Sequence, residues 1–160
     1  MSKRLVPDEL WELVAPLPPS FAARPQGDGT APRDERAVFT AVVYVLTSGC
    51  AWRHLPPTFG TSSATAHRRF TVWTEVGLWR RLHRAVLDEL GVRGEVDWTS
   101  GIVDAASVRA RGGKIERSIA WLFGYRRLTI RYERKGSHFL AFLGLAAALT
   151  CYKKLAKLAT

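Results

Sequence analysis

Cysteine occurs twice, at Cys50 and Cys151, with no C-x-x-C pair and no Cys/His cluster. That scarcity gives no support to a disulfide framework or to a zinc site, leaving two buried thiols as the expectation. Histidine is equally scattered: His54, His67, His83 and His138 show no H-E-x-x-H or comparable spacing, so none is assigned to a metal or to base catalysis. Ser107, in "DAASVRA", lacks the glycine pattern of a nucleophile elbow and reads as structural. The longest apolar run, "FLAFLGLAAALTCY" from 139 to 152, falls short of the ~20 residues a membrane-spanning helix needs and reads as a buried helix. The opening "MSKRLVPDELWEL" turns acidic before an apolar stretch builds up, which predicts no secretory signal, a cytoplasmic protein and no membrane partner. Internal repeats and low-complexity tracts are absent from the sequence.

Acidic residues are the other deficit. Fourteen Asp and Glu stand against 24 Lys and Arg, a formal net charge of +10 with a pI near 10.3. Such a chain favours polyanionic partners, nucleic acid ahead of an anionic membrane surface. With 160 residues and 47% hydrophobic content it has enough apolar material for a packed core.

The amino-terminal half divides into helices. Asp8 is placed to cap "ELWELVAPL", with Leu10, Leu13, Val14 and Leu17 on one face, before Pro18 and Pro19 stop it. "DERAVFTAVVYVLTSG" repeats Val38, Ala41, Val42, Val45 and Leu46 at helical spacing, and Gly49 suits a left-handed cap. "CAWRHLPPTFG" is a turn, because Pro56 and Pro57 cannot continue a helix. The next helix, "TSSATAHRRFTVWTEVG", is capped by Thr61 or Ser62 and carries an apolar stripe of Ala66, Phe70 and Trp73. In "LWRRLHRAVLDELG", Leu78, Leu82, Ala85, Val86 and Leu90 face inward, with Arg80, Arg81 and Arg84 outward. "TSGIVDAASVRA" has the small and β-branched composition of a buried strand. Beyond Gly112 and Gly113 come helical "KIERSIAWLF", a basic turn "GYRRLTIRYERKGS", and a long apolar helix from about Ser137 to Lys157.

Two regions carry candidate chemistry for a polyanion. A helix, a Pro/Gly turn and a second capped helix with basic first turns form a helix-turn-helix-like pattern, in which the amino end of the second helix enters the major groove. Ser62, Ser63, Thr65, His67, Arg68 and Arg69 are the DNA-facing candidates there, the alternative being a solvated face on an ordinary bundle. The second region, Arg109 to Lys135, holds nine Lys or Arg against Glu116 and Glu133, with Trp121, Tyr125 and Tyr132 interleaved. Arg126, Arg127 and Arg131 are its phosphate-contacting candidates; the alternative is that the aromatics anchor a core and the arginines solubilise. Asp104, at the end of the apolar strand, and Glu116, on the following helix, are a possible catalytic and metal-holding pair. The competing reading makes Asp104 a strand-end or capping residue.

Four stretches, "LTSGCAWRHLPPTFG", "TAHRRFTVWTEVGLWRRLHRAVLDEL", "IVDAASVRA" and "KIERSIAWLFGYRRLTIRYERKGSHFLAFLGLAAAL", together resemble bacterial insertion-sequence transposases of the DDE class, in the insertion-sequence-five group. The resemblance implies a helical DNA-binding domain ahead of a ribonuclease-H-like catalytic domain, in which Asp-Asp-Glu carboxylates hold two magnesium ions for strand cleavage and joining at inverted repeats. On this chain "IVDAASV" supplies the first carboxylate, Asp104, and "KIERSIAWL" the last, Glu116, with only "AASVRARGGKI" between them where the family places the middle aspartate and most of the sheet. The arginine the family carries one helical turn before the glutamate falls at Gly112, and a downstream lysine at Phe123.

The expectation is therefore a mainly α chain. A helix-turn-helix-like DNA-binding domain at 1–92 leads through a connector with a remnant strand at 93–113 to the carboxyl-terminal helices of a truncated catalytic domain at 114–160. One strand cannot satisfy its ladder hydrogen bonds alone, so a ribonuclease-H-like core is not expected to form. By the resemblance, the partner is double-stranded DNA at the inverted repeats of an insertion element, and Mg2+ is the family's cofactor with none functional here. The expected activity is DNA binding without cleavage. The alternatives are a regulator acting by end occupancy or by mixed oligomers with full-length transposase, and a remnant with no function. The apolar helix at 139–152, deprived of its sheet, must pack on the amino-terminal helices, self-associate, or stay exposed.

Overall fold

A computed structural model describes residues 5–19, 34–92, 124–130 and 133–158. All regular structure among the described residues is helical, in keeping with a mainly α chain. The strand expected within 99–110, the helix expected from Lys114, and with them Asp104 and Glu116, lie outside the described residues.

Helix α1 (Asp8–Val14) buries Leu10 and Val14. Asp8 does not cap it: Pro7 occupies the cap position without a side-chain bond, and Asp8 is the first helical residue. Its carboxylate lies 2.5 Å from Arg36 Nη2, which also donates to the Val6 carbonyl at 2.9 Å. An acid in the first turn still complements the helix dipole, and this one also ties α1 to the next helix through Arg36.

Helix α2 (Glu35–Ser48) is the centre of the molecule. Asp34 caps it by accepting from the Arg36 N–H at 2.9 Å. Val38, Ala41, Val42, Val45 and Leu46 are all buried as their spacing predicts, and Phe39, Thr40 and Val43 are buried with them. Gly49 ends the helix at φ 70°, its N–H donating to the Val45 carbonyl at 3.1 Å.

Two 3-10 turns, Trp52–His54 and Pro57–Phe59, carry the chain to α3 (Ser63–Glu75). Of the two candidate caps, Ser62 is the one that forms, its Oγ accepting from the Thr65 N–H at 3.2 Å. Ala66, Phe70 and Trp73 are completely buried. After Gly77, α4 (Leu78–Val92) buries Leu78, Leu82, Val86 and Leu90, leaves Ala85 half-buried, and exposes Arg80, Arg81 and Arg84. It also buries Trp79, which the spacing argument misses; the indole Nε1 donates to Thr74 Oγ1 at 2.9 Å, which satisfies the polar end of an otherwise apolar ring.

A single turn, α5 (Arg126–Thr129), precedes α6 (Gly136–Leu158). By length and composition α6 could cross a bilayer; one side of it is buried in the interior, while Leu140 stays exposed. Ala141, Phe142, Leu145, Ala146, Ala148, Leu149, Tyr152 and Leu155 join one core with residues of α1 to α4. It packs chiefly along α4, where Gly144 allows close approach to Trp79, and Phe142 stacks on Phe70 with centroids 4.4 Å apart. Of the three fates open to this helix, packing on the amino-terminal helices is the one realised.

Candidate nucleic-acid interface

The buried stripe of α3 fixes which of its residues meet solvent. With Ala66, Phe70 and Trp73 inward, Ser62 and Arg68 are exposed, Ser63, His67 and Arg69 are half-buried, and Thr65 is buried with its hydroxyl 2.9 Å from Ser62 Oγ. Arg69 lies 3.6 Å from Glu35. Burial holds the Glu35 carboxyl above its ordinary range, and the Arg69 charge opposes that shift. His67 meets the edge of Trp52 at 5.2 Å and of His138 at 5.6 Å. Arg68 is thus the candidate cation of α3 most fully presented to solvent.

Electrostatics favours an anion here. No Asp or Glu occurs between Glu35 and Glu75, a span that covers α2 after its first residue, both 3-10 turns and α3 up to its last residue. Arg53 and His54, in the first 3-10 turn, are exposed and hydrogen-bonded to each other, Arg53 Nε to His54 Nε2 at 3.2 Å. The helix dipole and the backbone N–H groups at the start of α3 add partial positive charge.

Arg126 and Arg127, neighbours in sequence, are treated oppositely by the fold. Arg126 is exposed, whereas Arg127 is only 3% exposed. Arg127 Nε donates to Glu133 Oε1 at 2.9 Å, Nη2 donates to the same oxygen, and Nη1 donates to the Cys50 carbonyl at 2.6 Å. Its guanidinium also lies over the rings of Trp52 and Phe142, at 5.9 and 5.6 Å. A phosphate has no access to a group so enclosed, so Arg127 is placed inside the protein. Arg131, Asp104 and Glu116 lie outside the described residues.

The surrounding residues were not visible to periodicity. Glu133 is nearly buried, with Oε2 3.7 Å from His138 Nδ1. Burial pushes the His138 imidazole below its ordinary pKa, aided by the nearby charges of His67 and Lys135 and opposed by Glu133. Trp52 touches His67, Phe70 and Phe142, and so links the interhelical turn to α3 and α6. The one available signal was Glu133 itself, an isolated acid within a run of cations.

Elsewhere, Cys151 Sγ lies 3.8 Å from His83 Nε2. Burial raises the Cys151 thiol above its usual pKa, which leaves it protonated and unactivated at neutral pH. Among the described residues no group of three His, Cys, Asp or Glu side chains is arranged to hold a metal ion.

Known proteins share much of this basic, helical sequence. Residues 6–83, from the turn before α1 into α4, match the family described as "Putative transposase of IS4/5 family". An "Insertion element IS402 uncharacterized 16.2 kDa protein" from Burkholderia cepacia is 39% identical over 114 residues, covering 70% of this chain and 78% of that protein. The chain belongs to the insertion-sequence transposase family. This transposase-family chain is also 30% identical over 106 residues to a "Putative transposase for insertion sequence element IS402" from the same organism, covering 63% of the chain and 47% of that relative. No solved structure matches it.

Proposed function

We propose that this transposase-family chain binds duplex DNA at the ends of its insertion element through the first turns of α3, without cleaving it. The observation that carries the reading is the acid-free span between Glu35 and Glu75, with the exposed Ser62 and Arg68 on the solvent side of a helix whose other side is locked into the core. Such a helix start suits phosphate contact and groove entry. The inverted repeats of the element are the target this reading assigns, and their sequence is to be found by selection from random duplexes.

The reading that the chain does not cleave DNA is supported by the carboxylates that the family resemblance assigns. Asp104 and Glu116 are two carboxylates joined by "AASVRARGGKI", and a two-metal centre ~3.5 to 4 Å across needs further oxygen ligands. The family's magnesium pair does not fit two donors, and no catalytic step is assigned to it.

One observation favours a second reading. A single element, IS402, has both a 16.2 kDa protein and a putative transposase similar to this chain. A short relative of a longer transposase can occupy element ends or enter mixed oligomers, and so regulate transposition. Titrating the purified chain into a transposition reaction of an intact relative tests this: dose-dependent inhibition supports regulation, and an unchanged rate at molar excess removes it. For the primary reading the test is fluorescence anisotropy on a terminal-repeat duplex, with saturable, salt-sensitive binding expected and no binding at low salt refuting it.

A further inference from the structure

The second basic region packs against the connection that leads from α2 into α3. Arg126 Cβ sits so close to Gly49 that a Cβ built on that glycine would lie 2.7 Å from it. Arg127 reaches the Cys50 carbonyl and Trp52, both in the connection between α2 and α3. At the other end of the segment, His138 meets His67 of α3 and Phe70. Its N–H donates to the Lys135 carbonyl at 3.1 Å, which places Lys135 one turn away from that contact. Arg126 and Arg127 are therefore anchored to the α2–α3 connection, and His138 to the first half of α3.

The charge arrangement follows the same logic. The acid of this segment among the described residues, Glu133, has one carboxylate oxygen on Arg127 and the other facing His138, and is withdrawn from solvent. Among the described residues the segment's other cations, Arg126, Arg134 and Lys135, are exposed. Burying the carboxylate with Arg127 removes the group that would repel a phosphate and leaves an outer surface of one sign. Arg53 and His54 lie on the same connection, and Arg68 lies next to His67.

We propose that residues 126–130 and 133–135 form a second wing of the DNA-binding face, docked against the α2–α3 connection, in which Arg126, Arg134 and Lys135 contact the phosphate backbone flanking the groove that α3 enters. This rests on the DNA-binding reading above and extends it: α3 carries any sequence preference, and the wing carries sequence-independent affinity.

Salt titration of the full chain separates the two. For the Arg126→Gln/Arg134→Gln/Lys135→Gln variant, the slope of log affinity against log salt should shrink by about 2 to 3. Affinity should fall alike for every duplex, with the ratio between terminal-repeat and unrelated duplexes unchanged. Each single variant should shrink the slope by about 0.9, which guards against an effect of misfolding in the triple variant. If the parent chain binds duplex DNA while the triple variant keeps its slope and affinity, the wing is refuted and the α3 reading stands. A variant that loses only the ratio also refutes it, because the segment then reads bases. A parent chain that binds no duplex at all overturns both.

Discussion

Replacing Arg127 by Met probes the buried cluster most sharply. Arg127 is 3% exposed, and its partner Glu133 has a side chain 8% exposed, so neither ion recovers hydration when the other is removed. The substitution leaves the Glu133 carboxylate with His138 3.7 Å from one oxygen, and it removes the donor to the Cys50 carbonyl. Stranding one member of a buried pair costs about 3–5 kcal/mol, against less than about 1 kcal/mol for an exposed pair. Replacing both, Arg127→Met with Glu133→Leu, removes the stranded charge and should restore a good part of the loss, giving a coupling energy of about 2–3 kcal/mol. Urea unfolding followed by tryptophan fluorescence measures all four corners of the cycle, and Trp52 beside the guanidinium provides a local reporter. A single-variant loss below about 1 kcal/mol, or additive effects of the two substitutions, would refute the claim that this pair is desolvated.

Three further outcomes follow from local geometry. Gly49 and Gly60 both hold positive φ, at 70° and 66°, but a Cβ on Gly49 meets Arg126 at 2.7 Å while one on Gly60 meets nothing within 4 Å. Gly60→Ala should cost about 1–2 kcal/mol for backbone strain alone, and Gly49→Ala distinctly more; equal costs in urea unfolding would show that α5 does not sit against the end of α2. Ser62→Ala should lower stability by about 1 kcal/mol through loss of the α3 cap, whereas Thr61→Ala should not act through that cap; a null result for Ser62 in thermal unfolding would count against the assigned cap. Burial holds His138 and His83 below the ordinary value of 6.5, so the unfolded chain takes up protons first as pH falls. Stability is therefore full above about 6.5 and declines as pH drops through the lower folded-state values. Around His138 the charged groups are Glu133, His67 and Lys135. The urea midpoint should fall between pH 7.5 and 5.5, and less so in His138→Gln; a flat profile contradicts this.

Local rules carried much of the amino-terminal half. The apolar spacing of α2, its left-handed Gly49 terminus, the Ser62 cap and the Ala66, Phe70, Trp73 stripe all follow from interactions within a few residues. What could not be read depends on contacts distant in sequence. Arg126 and Arg127 are chemically identical neighbours in a basic run, and only the position of Glu133 and the Cys50 carbonyl decides that one is buried and the other exposed. Asp8 satisfies every local criterion for a cap, yet Arg36, in the next helix, claims it. The apolar α6 declared that it would be buried without declaring against what, because hydrophobic burial is non-directional; α4 supplies the surface, with Trp79 set against Gly144 of α6. His138 showed no sequence signal, since its partners come from α3 and from the turn before α6.

DNA binding without cleavage is tested most directly by following binding and chemistry in one tube. The purified chain is titrated onto a labelled duplex bearing the terminal repeat of a related element, in magnesium, at salt concentrations from about 50 to 200 mM. The predicted result is saturable binding that weakens steeply as salt rises, with the duplex recovered intact. No binding at the lowest salt, or a magnesium-dependent nick that disappears in Asp104→Ala, would contradict it.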